Sequence, residues 1–182
     1  MPLTAANGDF DAMTITMTSV GRTSVSNSIQ LTTSTPFYAF TAQAQSLTSL
    51  IDPGESFNYT IQIQNTGNAV DTYLLTCQGA LYPSIFRNAS DSADITQITI
   101  NASETDTFIV QVTLPLTSTN GGFDAITITM TSDGRTSISD SIELTTSTPL
   151  YSFTTQAQSL TATLNPGESK LKIQAQQQIH IY

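Results

Sequence analysis

The sequence predicts an all-β protein built from short antiparallel strands in two packed layers, and three observations support this prediction. Only 10% of the 182 residues are charged. Uncharged polar residues are abundant instead, and threonine, which is prominent among them, favours β-sheet. Several segments alternate apolar and polar residues with the period of a strand. No segment of useful length has helical spacing, and proline and glycine recur between the alternating segments.

The first strands of one structural unit follow from this alternation. The clearest is 57–64, where every second residue is apolar, and it ends at an Asn-Thr-Gly-Asn turn. A shorter apolar run at 71–77 and the isoleucines of 98–100 predict two more strands. The alternation resumes at 108–114 and stops at Pro115, which lacks a backbone hydrogen-bond donor.

Two further strands flank a Ser-Asp-Gly-Arg turn at 132–135. Apolar residues alternate with threonines over 126–130 before the turn, and with polar residues over 138–144 after it. Asp140 shares the apolar parity, so we expect it at a strand end or bulge, because an unpaired buried carboxylate is costly. Seven or so short strands in one unit are typical of an immunoglobulin-like (Ig-like) antiparallel β-sandwich.

An internal duplication dominates the organisation of the chain. Residues 7–56 return at 120–169 with an offset of 113, and 37 of these 50 positions are identical. This period has the size of one sandwich domain, so the sequence predicts a tandem repeat array. The predicted division has a complete repeat at 47–148, the C-terminal strands of a preceding repeat plus a linker at 1–46, and a linker with the start of a truncated repeat at 149–182. The terminal units are therefore incomplete.

The duplication breaks after Ser169, where the apolar parity slips by one residue relative to the strand after Ser56. Two explanations compete. The favoured one is that the chain is a fragment of a longer secreted protein. The alternative is a filament subunit, in which the N-terminal hairpin (10–33) and the C-terminal strand (158–175) of neighbouring copies complete each other by β-strand exchange.

The motifs carry a family resemblance. Pro53-Gly54-Glu55-Ser56 leads into YTIQIQNTGNAVDTYLLTC, followed by ITINASETDTFIVQVTLP and FDAITITMTS. Together, over 47–148, they resemble the Ig-like repeats of bacterial and archaeal cell-surface proteins, the adhesion-related CARDB and NEW3-type domains. The resemblance implies a stalk, a spacer, an adhesion module or an accessory of a secreted enzyme, and it carries over no catalytic residue.

Composition argues against several function classes. The net charge is −9 with five basic residues, so no basic patch is available for nucleic acid. The single cysteine, Cys77, lies in an apolar stretch and is interpreted as a buried, inert thiol. The only histidine, His180, lies two residues from the end. We therefore predict no enzyme, with no catalytic, cofactor-binding or metal residues.

Location is predicted from the repeat rather than from a leader. No apolar run reaches membrane-span length, and the start MPLTAANGDF has no signal-peptide core. Because repeats of this kind are exported, we expect an extracellular or cell-surface protein whose signal and anchor are not in this chain. Three sequons then become candidate N-glycosylation sites, at Asn58, Asn88 and Asn101.

Weaker ligand signals accompany these sites. Six aspartates near turns could offer oxygens to calcium, but they lack the spacing of a calcium loop and are more typical of turns; they are Asp9, Asp11, Asp91, Asp94, Asp124 and Asp133. The aromatic residues Phe37, Tyr38 and Phe40 return as Leu150, Tyr151 and Phe153. These residues could form a carbohydrate-binding patch, but packing between adjacent domains is the favoured interpretation.

The sequence thus predicts a noncatalytic structural or adhesive module of an extracellular surface protein. Three rival interpretations are an accessory Ig-like module of a secreted enzyme, a filament subunit, and a lectin-like domain that would lose glycan binding when Tyr38 and Tyr151 are changed. The expected partners are neighbouring repeats or another copy of the chain, and a cell-surface glycan or protein.

Overall fold

The computed structural model describes residues 5–157, 166–167 and 175–181, and these residues form thirteen strands and no helix. None of them therefore provides a helix that could cross a membrane. The strands are β1 (Phe10–Thr18), β2 (Ser26–Ser34), β3 (Phe40–Ala44), β4 (Thr48–Leu50), β5 (Ser56–Asn65), β6 (Asp71–Gln78), β7 (Ser84–Asn88), β8 (Gln97–Ile100), β9 (Thr105–Thr113), β10 (Phe123–Ser132), β11 (Ser139–Ser147), β12 (Tyr151–Ala157) and β13 (Ala175–Ile181).

Nine of these strands form a two-layered sandwich. One sheet has the order β4-β11-β10-β6-β8 and the other has the order β3-β5-β9-β7. All pairings are antiparallel except that of β11 with β4. The predicted all-β sandwich is confirmed. The remaining strands form two separate two-stranded sheets, β1-β2 before the sandwich and β12-β13 after it.

The core lies where the alternating strands face each other. In one sheet β5 buries every second residue, and β9 does so too except that Ile109, between Phe108 and Val110, is also buried. In the other sheet, β6, β10 and β11 bury alternate residues. The fully enclosed side chains include Tyr59, Ile61, Ile63, Phe108, Val110, Ile128, Met130 and Leu144. Asp140 is exposed next to the first residue of β11, as predicted for a strand end.

The sandwich contains a strand that precedes the predicted start of the repeat. β3 pairs with β5, joining Phe40 to Asn65 and Ala44 to Ile61, and its apolar residues pack against the core. The sandwich therefore begins seven residues before residue 47. The division of the chain into successive repeats stays a prediction.

The C-terminal pair reproduces the β3–β5 pairing with one extra residue. β12 is the copy of β3 at the offset of 113, and it joins Phe153 to Ile179 and Ala157 to Ala175. Residue 179 is offset from Asn65 by 114, which matches the one-residue slip in the sequence. The predicted exchange strand, 158–175, lies almost wholly outside the described residues.

Candidate interaction surfaces

The linker between β2 and β3 is held by a side-chain clamp. Asn7 Nδ2 donates to the carbonyl oxygen of Tyr38 over 2.8 Å, and the Tyr38 amide donates back to Asn7 Oδ1 over 2.8 Å. Thr35 Oγ1 donates to the carbonyl oxygen of Ala6. Gly8 has φ +77° and lies against the Phe37 ring, a backbone conformation that glycine adopts without strain.

The linker between β11 and β12 has the same clamp at the repeat-equivalent positions. Asn120 Nδ2 donates to the carbonyl oxygen of Tyr151, and the Tyr151 amide donates to Asn120 Oδ1, both over 2.7 Å. Thr148 Oγ1 donates to the carbonyl oxygen of Thr119. Gly121 has φ +70° and lies against Leu150. We call these two arrangements the Asn–Tyr clamps. The duplication thus extends from sequence to the hydrogen bonds of the linkers.

Each clamped linker also contacts the sandwich, and the two contacts lie at opposite ends of it. At the first linker, the Phe37 amide donates to Asn68 Oδ1 over 2.8 Å, and the Tyr38 ring lies so close to Gly134 that no Cβ fits there. At the second linker, Tyr151 Oη donates to Asp52 Oδ1 over 2.8 Å. This hydrogen bond, followed by burial, raises the pKa of Tyr151.

The aromatic residues considered as a carbohydrate-binding patch take part in these contacts. Tyr38 is half-buried in the first linker, and Tyr151 is 47% exposed with its hydroxyl engaged by Asp52. Tyr38 lies in the linker between β2 and β3, and Tyr151 is the first residue of β12, so the two tyrosines do not share one surface. A flat ligand such as a sugar ring would therefore meet only one of them at a time.

Two buried aspartates fix the loops beside the linkers. Asp71 accepts hydrogen bonds from Ser132 Oγ at 2.6 Å and from the Gly134 amide at 3.0 Å. Asp124 Oδ2 accepts from the amides of Leu81 and Tyr82 at 3.0 and 2.9 Å. Sequence reasoning missed the role of Asp71, because an aspartate at the start of a strand resembles a solvated residue.

The aspartates considered as possible calcium ligands do not converge. Asp91 and Asp94 both pair with Arg87, and Asp124 is buried among backbone amides. Asp9 accepts from the amide of Ala6, while Asp11 and Asp133 are exposed. Within the described ranges, no group of three or more histidine, cysteine or acidic side chains could hold a metal ion.

The three sequon asparagines differ in how freely their amides are presented. Asn58 Nδ2 donates to Asp91, and Asn88 Oδ1 accepts from the amides of Ser92 and Ala93, which closes a loop. Asn101 lies exposed in the turn between β8 and β9, with a single contact from its Nδ2 to Glu104. Asn58 and Asn101 are both exposed, whereas Asn88 is half-buried. Glycosylation itself stays a prediction.

Cys77 lies on β6 opposite Ile128, half-buried against the core. Burial, and then the nearby carboxylate of Asp124, raise the pKa of its thiol. A raised pKa keeps the sulfur protonated near neutral pH, and the thiolate is the nucleophilic form. This environment agrees with the interpretation of Cys77 as a packing residue.

The β1–β2 pair exposes an apolar surface that its repeat copy buries. Both pairs have the same register, since Phe10 faces Ser34 in one and Phe123 faces Ser147 in the other. In β10–β11 the apolar residues Ile126, Ile128, Met130 and Leu144 are at most 2% exposed. Their copies Met13, Ile15, Met17 and Leu31 are 54%, 38%, 57% and 46% exposed, respectively. We call the surface that these four residues form the β1 face.

Comparison with known proteins relates the chain to one domain family. Residues 58–152, which are 95 of the 182 residues, match the family described as "IG-like fold at C-terminal of FixG, putative oxidoreductase". The match confirms the predicted Ig-like fold, and the matching family is a different one from the CARDB and NEW3-type families that the motifs resemble. No curated protein matches the chain by sequence.

Three solved structures that match the chain are distant from it in sequence. A FixG-related protein from Vibrio parahaemolyticus is 11% identical with a TM-score of 0.44, over 61% of this chain and 95% of that one. PapD-like domain 7 of human CEP192 is 10% identical with a TM-score of 0.36, over 59% and 82%. The alpha-2-macroglobulin of E. coli is 16% identical with a TM-score of 0.41, over 79% of this chain and 8% of that one.

Proposed function

Because this chain belongs to the family of Ig-like domains found at the C-terminus of FixG, we propose that it works as a noncatalytic structural module, a stalk or spacer in a repeat array. The observation that carries this proposal is the pair of equivalent Asn–Tyr clamps, at Asn7 and Asn120. A spacer needs joints of fixed geometry, and the same joint occurs here on both sides of one sandwich.

The chemistry of the clamp explains how it would limit bending. One asparagine amide satisfies both the donor and the acceptor of the tyrosine backbone, so the linker cannot rotate without losing two hydrogen bonds. The preceding residues, Pro36 and Pro149, fix one backbone dihedral of each linker. Linkers of flexible spacers, by contrast, are rich in glycine and serine and carry no such contacts.

The proposal includes an extracellular or cell-surface location and an adhesive role. It is supported by the low content of charged residues and by the exposed sequon at Asn101, which suits a glycoprotein. The finer assignment to adhesion-related repeats of bacterial or archaeal surface proteins belongs to the same proposal. A cell-surface glycan or protein would be the ligand of the array.

The variant Asn7→Ala tests the joint. We expect the β1–β2 pair to move with the sandwich in the natural chain, and to reorient independently in the variant, because both hydrogen bonds of the clamp are lost. The measurement is the backbone ¹⁵N relaxation of the two parts, recorded at a dilution at which the chain is monomeric. Asn27→Ala is the matched control, since Asn27 bonds only to the neighbouring Ser28 amide.

An intermediate variant sharpens this test. Asn7→Asp keeps the acceptor for the Tyr38 amide and loses the donor to its carbonyl oxygen, so we expect partial loosening. Independent tumbling of β1–β2 in the natural chain, or equal effects of Asn7→Ala and Asn27→Ala, would contradict the role of the clamp as a joint.

A second candidate function is an accessory module of an enzyme, and the family description favours it by naming FixG. In this case the module would be linked to a catalytic domain encoded in the same reading frame. Sequencing the reading frame on both sides of the repeat decides between the two candidates. Further repeats alone would support the spacer, whereas an adjoining catalytic domain would support the accessory module.

A further inference from the structure

We propose that the two clamp asparagines, Asn7 and Asn120, are sites of spontaneous deamidation that the closed Asn–Tyr clamps hold inactive. A linker that opens can then be changed covalently, and it does not return to its first form. The proposal goes beyond the spacer function. It needs only the clamps, so it holds whether the chain is a spacer or an accessory module.

The first observation is the residue that follows each clamp asparagine. The chain has nine asparagines, and only Asn7 and Asn120 precede a glycine, Gly8 and Gly121. The backbone nitrogen after an asparagine can attack the side-chain carboxamide. Glycine favours this attack, because it has no side chain to obstruct the approach and its backbone adopts more conformations than that of any other residue. The two most labile asparagines of the chain are therefore the two that close its linkers.

The reaction needs only the two residues and water. The Gly8 nitrogen loses its proton and forms a bond to Asn7 Cγ, the bond from Cγ to Nδ2 breaks, and Nδ2 takes up a proton and leaves as ammonia. The product is a five-membered succinimide ring. Water then opens the ring at one of its two carbonyl carbons, which gives aspartate or isoaspartate. The same steps at Asn120 use the Gly121 nitrogen.

The second observation is that the attacking nitrogen is engaged in the closed clamp. The Gly8 amide donates to the carbonyl oxygen of Pro36 over 3.2 Å, and the Gly121 amide donates to that of Pro149 over 3.1 Å. A nitrogen that donates its proton in this way keeps it, and a protonated amide is a poor nucleophile. Each glycine must lose this hydrogen bond before it can react.

The third observation is that the carboxamide under attack is held as well. Asn7 Oδ1 accepts from the Tyr38 amide and Nδ2 donates to the Tyr38 carbonyl oxygen, each over 2.8 Å. Asn120 is bonded to Tyr151 in the same way over 2.7 Å. The attack turns the carboxamide toward its own backbone and removes Nδ2, so both hydrogen bonds must break first. Deamidation therefore requires an open clamp.

The products cannot rebuild the clamp. A carboxylate still accepts from the tyrosine amide, but its second oxygen faces the tyrosine carbonyl oxygen with no proton between them. Isoaspartate also lengthens the main chain by one carbon, which displaces Gly8 from its contact with Phe37 and Gly121 from its contact with Leu150. An opening that leads to reaction therefore loosens the linker permanently.

The experiment follows deamidation of the 182-residue chain by peptide mass mapping during incubation in mildly alkaline buffer, which favours loss of the amide proton. We expect Asn7 and Asn120 to react more slowly in the folded chain than in urea by about tenfold or more, because two side-chain hydrogen bonds oppose opening. Isoaspartate should accompany aspartate, since the succinimide opens both ways. Asn101, which precedes alanine, is the internal control and should react slowly in both conditions.

Two matched variants loosen one clamp each and leave both Asn-Gly pairs unchanged. Thr35→Val removes the hydroxyl that bonds the residue before Asn7, and Thr148→Val removes the hydroxyl that bonds the residue before Asn120. Thr35→Val should speed deamidation at Asn7 by about threefold or more and leave Asn120 unchanged. Thr148→Val should do the reverse. Each chain thus contains its own control site.

The effect on the linker is measured on the product itself. Ion exchange separates the chain deamidated at Asn7, which carries an added negative charge, from the natural chain. In the ¹⁵N relaxation experiment its β1–β2 pair should reorient more freely, as we expect for Asn7→Asp.

The proposal fails on any of four results. One is an equal rate of deamidation in the folded chain and in urea. Another is a Thr35→Val chain in which Asn7 reacts no faster than in the natural chain. The third is aspartate without isoaspartate, which would indicate direct hydrolysis without attack by glycine. The fourth is a deamidated chain whose β1–β2 pair moves as in the natural one.

Discussion

Two aspartates show how single residues secure this sandwich. Asp71 and Asp124 are 4% and 2% exposed, and burial of a charged carboxylate is costly unless its oxygens are bonded. Asp71 meets this condition with a hydroxyl and two amides, from Ser132, Gly134 and Thr72. Asp124 is bonded through Oδ2 only, and its buried Oδ1 has no hydrogen-bond partner among the described residues. Each carboxylate ties a loop to a core strand, and Asp71 holds the turn against which Tyr38 packs.

The repeat provides a matched test of this role. Asp124→Ala should lower the free energy of unfolding by about 1–3 kcal/mol, because the amides of Leu81 and Tyr82 lose their buried acceptor. Asp11→Ala, the same change in the exposed copy, should alter it by less than about 0.5 kcal/mol. Urea denaturation followed by circular dichroism measures both. A similar cost at the two positions would contradict the structural role assigned to Asp124.

Residue roles were the least predictable part of the molecule. The sequence marks Asn7, Asn120, Tyr38 and Tyr151 as repeated, but it gives no sign that the asparagine and tyrosine of a clamp meet across 31 positions. Such contacts depend on how β1 and β2, or β10 and β11, bring their outer ends together. The accessibility of the three sequon asparagines could not be predicted either, because an asparagine that closes a loop and an exposed asparagine have the same sequence motif.

At the scale of elements, strands with buried alternation were predictable, whereas of the four edge strands of the sandwich only β8, marked by its isoleucines, was predicted. β5, β9, β10 and β11 follow the alternating pattern, and each has a sheet neighbour on both sides. β3, β4 and β7 were missed; they are three to five residues long, and all lie at sheet edges. Edge strands bury fewer side chains, so their sequences carry a weaker period.

Hydrogen exchange compares the two hairpins directly. We expect the amides of β1–β2 to exchange orders of magnitude faster than those of β10–β11, although the sequences are nearly the same, because a lone two-stranded pair is marginally stable in water. The measurement is mass-spectrometric hydrogen exchange at a dilution at which the chain is monomeric. Equal protection of the two hairpins would mean that β1–β2 gains stability from contacts other than those described.

At the scale of the whole molecule, the net charge of −9 makes copies of the chain repel one another. Added salt shortens the range of this repulsion.

The two equivalent clamps also have a genetic consequence. An equivalent clamp lies at each end of the sandwich. A segment of 113 residues can therefore be removed or inserted between equivalent positions, and the new junction then has the same structure as an existing one. Unequal crossover between such copies would change the length of an array in whole steps. We therefore expect related strains to differ in the number of copies more readily than in the sequence at their boundaries.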